Sequence, residues 1–108
     1  MGWANDAIAI LAEGEPVTIK PHGGSMSPLV ISGAAVTLEP AAVAEMSPGD
    51  IVLCRVEQQV FLHLVKEVGV GDRSGQVLIG NNRGKLNGWT SVIFGRATQV
   101  LNPPMSPG

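Results

Sequence analysis

The run from Ile51 to Val68, IVLCRVEQQVFLHLVKEV, carries the clearest strand signal in the chain. Its first six residues are mostly aliphatic, and three of them are β-branched. Glu57-Gln58-Gln59 interrupts the apolar pattern, and Val60 to Val68 resumes it. Two apolar segments of strand length around a short polar turn read as a β-hairpin. Alternation along the second segment puts Phe61, His63, Val65 and Glu67 on one face, and Leu62, Leu64, Lys66 and Val68 on the other. Pro48-Gly49-Asp50 is a turn that launches the first strand. Gly69 to Gly75 is a polar, glycine-rich turn that ends the second.

The same signature recurs in short pieces on either side. Val17 to Lys20, Ala35 to Glu39, Gln76 to Ile79 and Ser91 to Val100 read as further strands, and Ala41 to Met46 as a connecting loop. Gly80 to Thr90 reads as a loop dense in amides and glycine. The one helical signal lies at the start. Asn5 or Asp6 can cap a short amphipathic helix with Ala4, Ala7, Ile8 and Leu11 near one face, and Gly14 and Pro16 stop it. Many short strands with frequent turns favour a small, partly open β-barrel or folded antiparallel sheet over alternating βαβ units. The expectation is a mainly β domain over residues 1–101 with one short N-terminal helix. A Pro- and Gly-rich tail, residues 102–108, is expected to fray. Met-Ser-Pro occurs at Met26, Met46 and Met105 without similarity around the copies, so it is no repeat.

Composition narrows the function. Hydrophobic residues make up 44% and charged residues 15% of the 108, the balance of a globular chain with a single modest core. The formal net charge is −2, and Lys and Arg nowhere cluster, which argues against nucleic acid as partner. Cys54 is the single cysteine, so no internal disulfide framework exists and a reducing, cytoplasmic setting is expected. No segment has the roughly 20 apolar residues of a membrane span. Met1 to Glu15 lacks the basic start and apolar middle of a secretion signal. No metal or organic cofactor is indicated, since His22, His63 and Cys54 have no ligand spacing.

Gly23-Gly24-Ser25-Met26-Ser27-Pro28 is the stretch with the most chemical content. Paired glycines permit unusual backbone geometry and close approach of a second chain, and Pro28 stiffens the exit. A serine held there, with open amides at Gly24, Ser25 and Met26, suits a nucleophile with a backbone oxyanion hole. The same composition also makes an ordinary surface loop. A serine hydroxyl needs a base. His63 titrates near neutrality and needs little tuning. Lys66 would have to be desolvated, and it points away from His63 unless a bulge shifts the register. His22 is close in sequence to Ser25 but lies in a flexible loop. Cys54 reads as a small core residue, with a Cys54–His63 pair as a remote alternative.

These residues together resemble a known family. Gly24-Ser25-Met26-Ser27-Pro28 is similar to the nucleophile box of the signal peptidases and self-cleaving repressor proteases. Pro48-Gly49-Asp50-Ile51-Val52-Leu53 resembles their next block, and Leu62 to Val68 resembles the block that carries the general base. That base is Lys in bacterial signal peptidases and repressor proteases, and His in the archaeal and endoplasmic-reticulum type. Gly80-Asn81-Asn82-Arg83 resembles a later Gly-Asp-Asn block, and Phe94-Gly95-Arg96-Ala97 the closing Gly-Arg strand. The five blocks follow the family's order from Gly23 to Val100.

The resemblance implies a soluble serine endopeptidase in which Ser25 is the nucleophile and His63 the base. Gly24, Ser25 and Met26 would form the oxyanion site, and an extended peptide or protein substrate would add to a strand edge. Three positions depart from the family. Asn81 stands where relatives often carry Asp, Leu64 stands where an Arg commonly follows the base, and Leu86-Asn87-Gly88-Trp89 replaces an expected Ser and Asp. A carboxylate to orient His63 is therefore missing, and an amide of Asn81 or Asn82, or a backbone carbonyl, is expected to serve. The amide-dense loop up to Trp89 can bind a peptide backbone or support the base. No Ala-Gly or Cys-Gly bond precedes Gly23, which disfavours self-cleavage. The alternative is a peptide-binding module of the same fold with little or no catalysis. The oligomeric state and the substrate's identity are left open by the sequence.

Overall fold

The computed structural model describes residues 4–104, and seven strands form one antiparallel sheet in the order β1-β2-β7-β3-β4-β5-β6. The strands are β1 (Val17–Ile19), β2 (Ala35–Pro40), β3 (Ile51–Val56), β4 (Gln59–Val68), β5 (Val77–Gly80), β6 (Leu86–Thr90) and β7 (Val92–Leu101). The helix α1 (Asn5–Ala12) precedes them. The architecture is mainly β with one helix, and the sheet is not closed into a barrel.

The hairpin read from Ile51 to Val68 is present, with Val52 opposite His63 and Cys54 opposite Phe61. Its turn is Glu57-Gln58, and Gln59 already belongs to β4. Alternation in this hairpin feeds two cores. Leu53, Leu62 and Leu64 join Leu11, Met26, Val30, Val36 and Leu38 on one face. Val52, Cys54, Val56 and Val65 join Met46, Val77 and Ile79 on the other. Burying each such side chain removes it from water at about 1.5–3 kcal/mol, so both faces of β3 and β4 stabilise the sheet.

Helix α1 buries Ala7 and Leu11, with Ala4 just ahead of them, and the predicted apolar face is the one it uses. Its N-cap position is Ala4, not Asn5 or Asp6, and no side chain caps it. The segment read as a loop between Ala41 and Met46 contains a 3₁₀ turn at Val43–Glu45, where Glu45 accepts the Ala42 N–H.

The largest difference lies in Gly80 to Thr90, read as loop but containing β6. Leu86, Asn87 and Gly88 have no strand pattern, and Asn-Gly is a turn signal. Pairing with β5 overrides that weak local preference, with Trp89 opposite Leu78 and Gly88 opposite Ile79. β6 curls back against β3, where the Thr90 hydroxyl donates to the Arg55 carbonyl. Asn102, assigned to the fraying tail, is instead held. Its Oδ1 accepts from Ile31 N–H at 2.9 Å and its Nδ2 donates to the Leu29 carbonyl at 3.2 Å. Pro103 and Pro104 follow it, exposed and without secondary structure, and the remainder of the tail, residues 105–108 with the Met-Ser-Pro at Met105, lies outside the described residues. Among the described residues, no helix is long and apolar enough to cross a membrane.

Candidate functional site

The loop between β1 and β2 is held at both ends and in the middle. Gly33 N–H donates to the Pro21 carbonyl at 2.8 Å, and Gly23 N–H to the Ser32 hydroxyl at 3.2 Å. Gly23 has φ +115°, a conformation that an L side chain would strain. Met26 and Val30 are both buried in the first core, and Val30 N–H donates to the Met26 carbonyl. Ser25 therefore sits on a segment whose next side chain is an anchor. The Ser27–Pro28 peptide bond is cis.

His63 arrives from the centre of β4, 8% exposed, with its ring stacked on Phe61 at 4.9 Å between centroids. Ser25 Oγ and His63 Nε2 lie 3.2 Å apart, although 38 residues separate them in the chain. The other ring nitrogen, Nδ1, is 2.7 Å from Asn87 Oδ1. An amide oxygen can only accept, so the Nδ1 proton is donated to it. Nε2 is then free to accept from the Ser25 hydroxyl.

Burial of the ring lowers the His63 pKa from its ordinary 6.5. The Asn87 hydrogen bond raises it, and the positive charges of Lys85 and Lys66 lower it further. The net direction is down, so the imidazole is neutral at pH 7.

Asn81 and Asn82, expected to support the base, do other work. Asn81 Oδ1 accepts the Arg83 and Lys85 N–H groups, closing the loop between β5 and β6. Asn82 N–H donates to the Ser25 carbonyl at 2.9 Å, and its Nδ2 to the Ser27 carbonyl at 3.0 Å. It holds the serine loop, not the histidine. The residue that meets His63 is Asn87, and the reason lies in the unrecognised strand. Asn87 lies on an edge strand separated from β4 by β5, and it meets His63 where β4 runs beyond the end of β5.

The other candidate groups make no hydrogen bond to the Ser25–His63 pair. His22 is exposed and its Nδ1 is 3.4 Å from the Ser32 hydroxyl. Lys66 falls at a register shift between Val65 and Glu67, with its Cε beside Gly80. Cys54 is fully buried, its thiol directed at the Phe61 carbonyl and pushed up to about 12 by burial.

Two clefts meet at Phe61. The first, about 520 Å³, opens beside Ser25 and His63 and is walled by Lys20, His22, Met26, Ile31 and Leu62 among others. The second is lined by Glu57, Gln59, Phe61, Lys85, Leu86 and Asn87. β4 is paired along its whole first half with β3, but β5 joins it only from Leu64 onward. Val65 exchanges backbone bonds on the β3 side, with Asp50 and Gly49. Alternation then turns the N–H and C=O of Val60 and Leu62 to the opposite edge, along the first cleft. Among the described residues, no three His, Cys, Asp or Glu side chains gather as a metal site.

No protein-family model matches the chain. No curated protein matches it either.

Proposed function

We propose that the chain is a serine endopeptidase of the signal peptidase and repressor-protease type, acting on an extended peptide segment. The observation that carries the proposal is the 3.2 Å approach of Ser25 Oγ to His63 Nε2 beside an open cleft. In this mechanism Ser25 Oγ attacks the scissile carbonyl carbon while His63 Nε2 takes the hydroxyl proton. The carbonyl oxygen becomes an oxyanion against the Ser25 backbone N–H, with Gly24 and Met26 alongside. The C–N bond then breaks as His63 returns the proton to the leaving amine, which leaves an acyl-serine. Water, deprotonated by the same imidazole, hydrolyses that ester.

The unpaired edge of β4 at Val60 and Leu62 supports binding by strand addition. An extended peptide there would hydrogen-bond to the backbone and pass Ser25. The family resemblance of the five sequence blocks supports the same chemistry. A single buried thiol agrees with a cytoplasmic setting, and a first cleft lined by one Lys and no Arg agrees with a peptide partner over a nucleic acid.

Labelling with a serine-directed fluorophosphonate tests the proposal. Wild type is expected to label at Ser25, Ser25→Ala to lose labelling, and His63→Ala to slow it by about 10²–10⁴-fold. No labelling of a folded wild type under any condition would leave a peptide-binding module of the same fold.

A further inference from the structure

We propose that Asn87 is the positioning residue of the Ser25–His63 pair, fixing the histidine proton on Nδ1 while supplying no negative charge to the imidazolium. The inference rests on the hydrolase reading but adds a residue and a pH behaviour to it. Its basis is the linear series Ser25 Oγ, His63 Nε2, His63 Nδ1 and Asn87 Oδ1, with steps of 3.2 Å and 2.7 Å at its ends. The shorter of the two is the orienting bond. An amide oxygen at Nδ1 holds the ring in the tautomer whose Nε2 can accept the serine proton. The same division of labour operates where an Asn orients a catalytic His in cysteine peptidases.

The surroundings decide what an amide, in place of a carboxylate, does to the pH response. Lys66 lies on the histidine's own strand and Lys85 just before β6, and both charges oppose protonation of the ring. Cys54, two residues from Val52 along β3, is a buried neutral thiol. Lys20 and His22 stand on the wall of the first cleft. Glu57, in the second cleft, is the one carboxylate among the residues lining either cleft. Buried above all, with the Lys85 and Lys66 charges nearby and no carboxylate in contact, the imidazole stays neutral further into acid than a free one. The base is therefore competent on the acid side of neutrality.

The test reads the resting protein and the reaction separately. In ¹⁵N-labelled full chain, the His63 ring nitrogens should report a neutral Nδ1–H tautomer and a titration midpoint below 6.5. Asn87→Asp should raise that midpoint by about one pH unit or more, and move the acid limb of Ser25 labelling up with it. Asn87→Leu should lose the tautomer preference and label more slowly, with no upward move of the limb. A merely structural Asn87 would slow labelling in both variants and shift the limb in neither. An Nε2–H tautomer in wild type overturns the inference, as does an unmoved midpoint in folded Asn87→Asp. If Asn87→Asp fails to fold, the wild-type tautomer decides alone. A titration as described without any labelling overturns the hydrolase and leaves the positioning role standing.

Discussion

At the scale of single residues, the candidate chemistry depends on how burial treats three side chains in one hairpin. Cys54, His63 and Phe61 lie within ten residues of each other on β3 and β4. Burial without a charged partner raises the Cys54 thiol to about 12, which keeps it protonated and inert. Burial of His63 beside Ser25 and Asn87 does the opposite service, because it keeps the ring in the neutral form a base requires. Native protein should therefore resist iodoacetamide at mildly alkaline pH, and Cys54 should react only after unfolding. Mass spectrometry of intact protein reads the difference, and rapid alkylation of the native chain would contradict the burial of that thiol. Ser25 and His63 could be named from the sequence because a glycine-flanked serine and a strand histidine each carry a local chemical signal. Asn87 could not, since an Asn before a Gly is most simply a turn.

At the scale of elements, legibility followed hydrophobic content. The β3–β4 hairpin and β7 could be read because strand-length runs rich in aliphatic and β-branched residues are bounded by turn signals. β6 escaped because Leu86-Asn87-Gly88 carries no apolar strand pattern, and its pairing with β5 is a tertiary contact that overrides local preference. Its join to β5 is also irregular, with a register shift at Gly80. A Cβ at Gly80 would come within 2.7 Å of the Lys85 carbonyl and 3.0 Å of Lys66 Cε. The lysine can move, but the carbonyl belongs to the loop that Asn81 ties together. Gly80→Ala should therefore cost about 1–3 kcal/mol in denaturant unfolding. It should also weaken Ser25 labelling, because the displaced segment leads straight into Asn87. Wild-type stability in this variant would show that the β5–β6 turn has slack.

At the scale of the whole molecule, two hydrophobic cores share one sheet, and His63 is a buried polar residue stacked on Phe61 beside the second. An unfolded His63 takes a proton around its ordinary 6.5, whereas the folded ring takes one only at lower pH. Between those values the unfolded chain binds more protons, so stability falls as pH drops through the window. Replacing the histidine removes that contribution. His63→Gln should lose less stability than wild type between pH 6.5 and the folded midpoint, measured by urea unfolding at a series of pH values. Equal slopes in the two proteins would mean that the folded ring titrates like a free one.

The place of β7 has a consequence for the order of manufacture. Among the described residues it is the last strand in chain order, yet it lies between β2 and β3 and separates the half of the sheet beside the serine loop from the half carrying His63 and Asn87. A ribosome that has already released all three of those residues has not yet supplied the strand between the halves. Nor has it supplied Asn102, the clasp on the backbone at Leu29 and Ile31. On the proposed reading, the nascent chain therefore holds Ser25, His63 and Asn87 before it holds the strand that joins their two halves of the sheet.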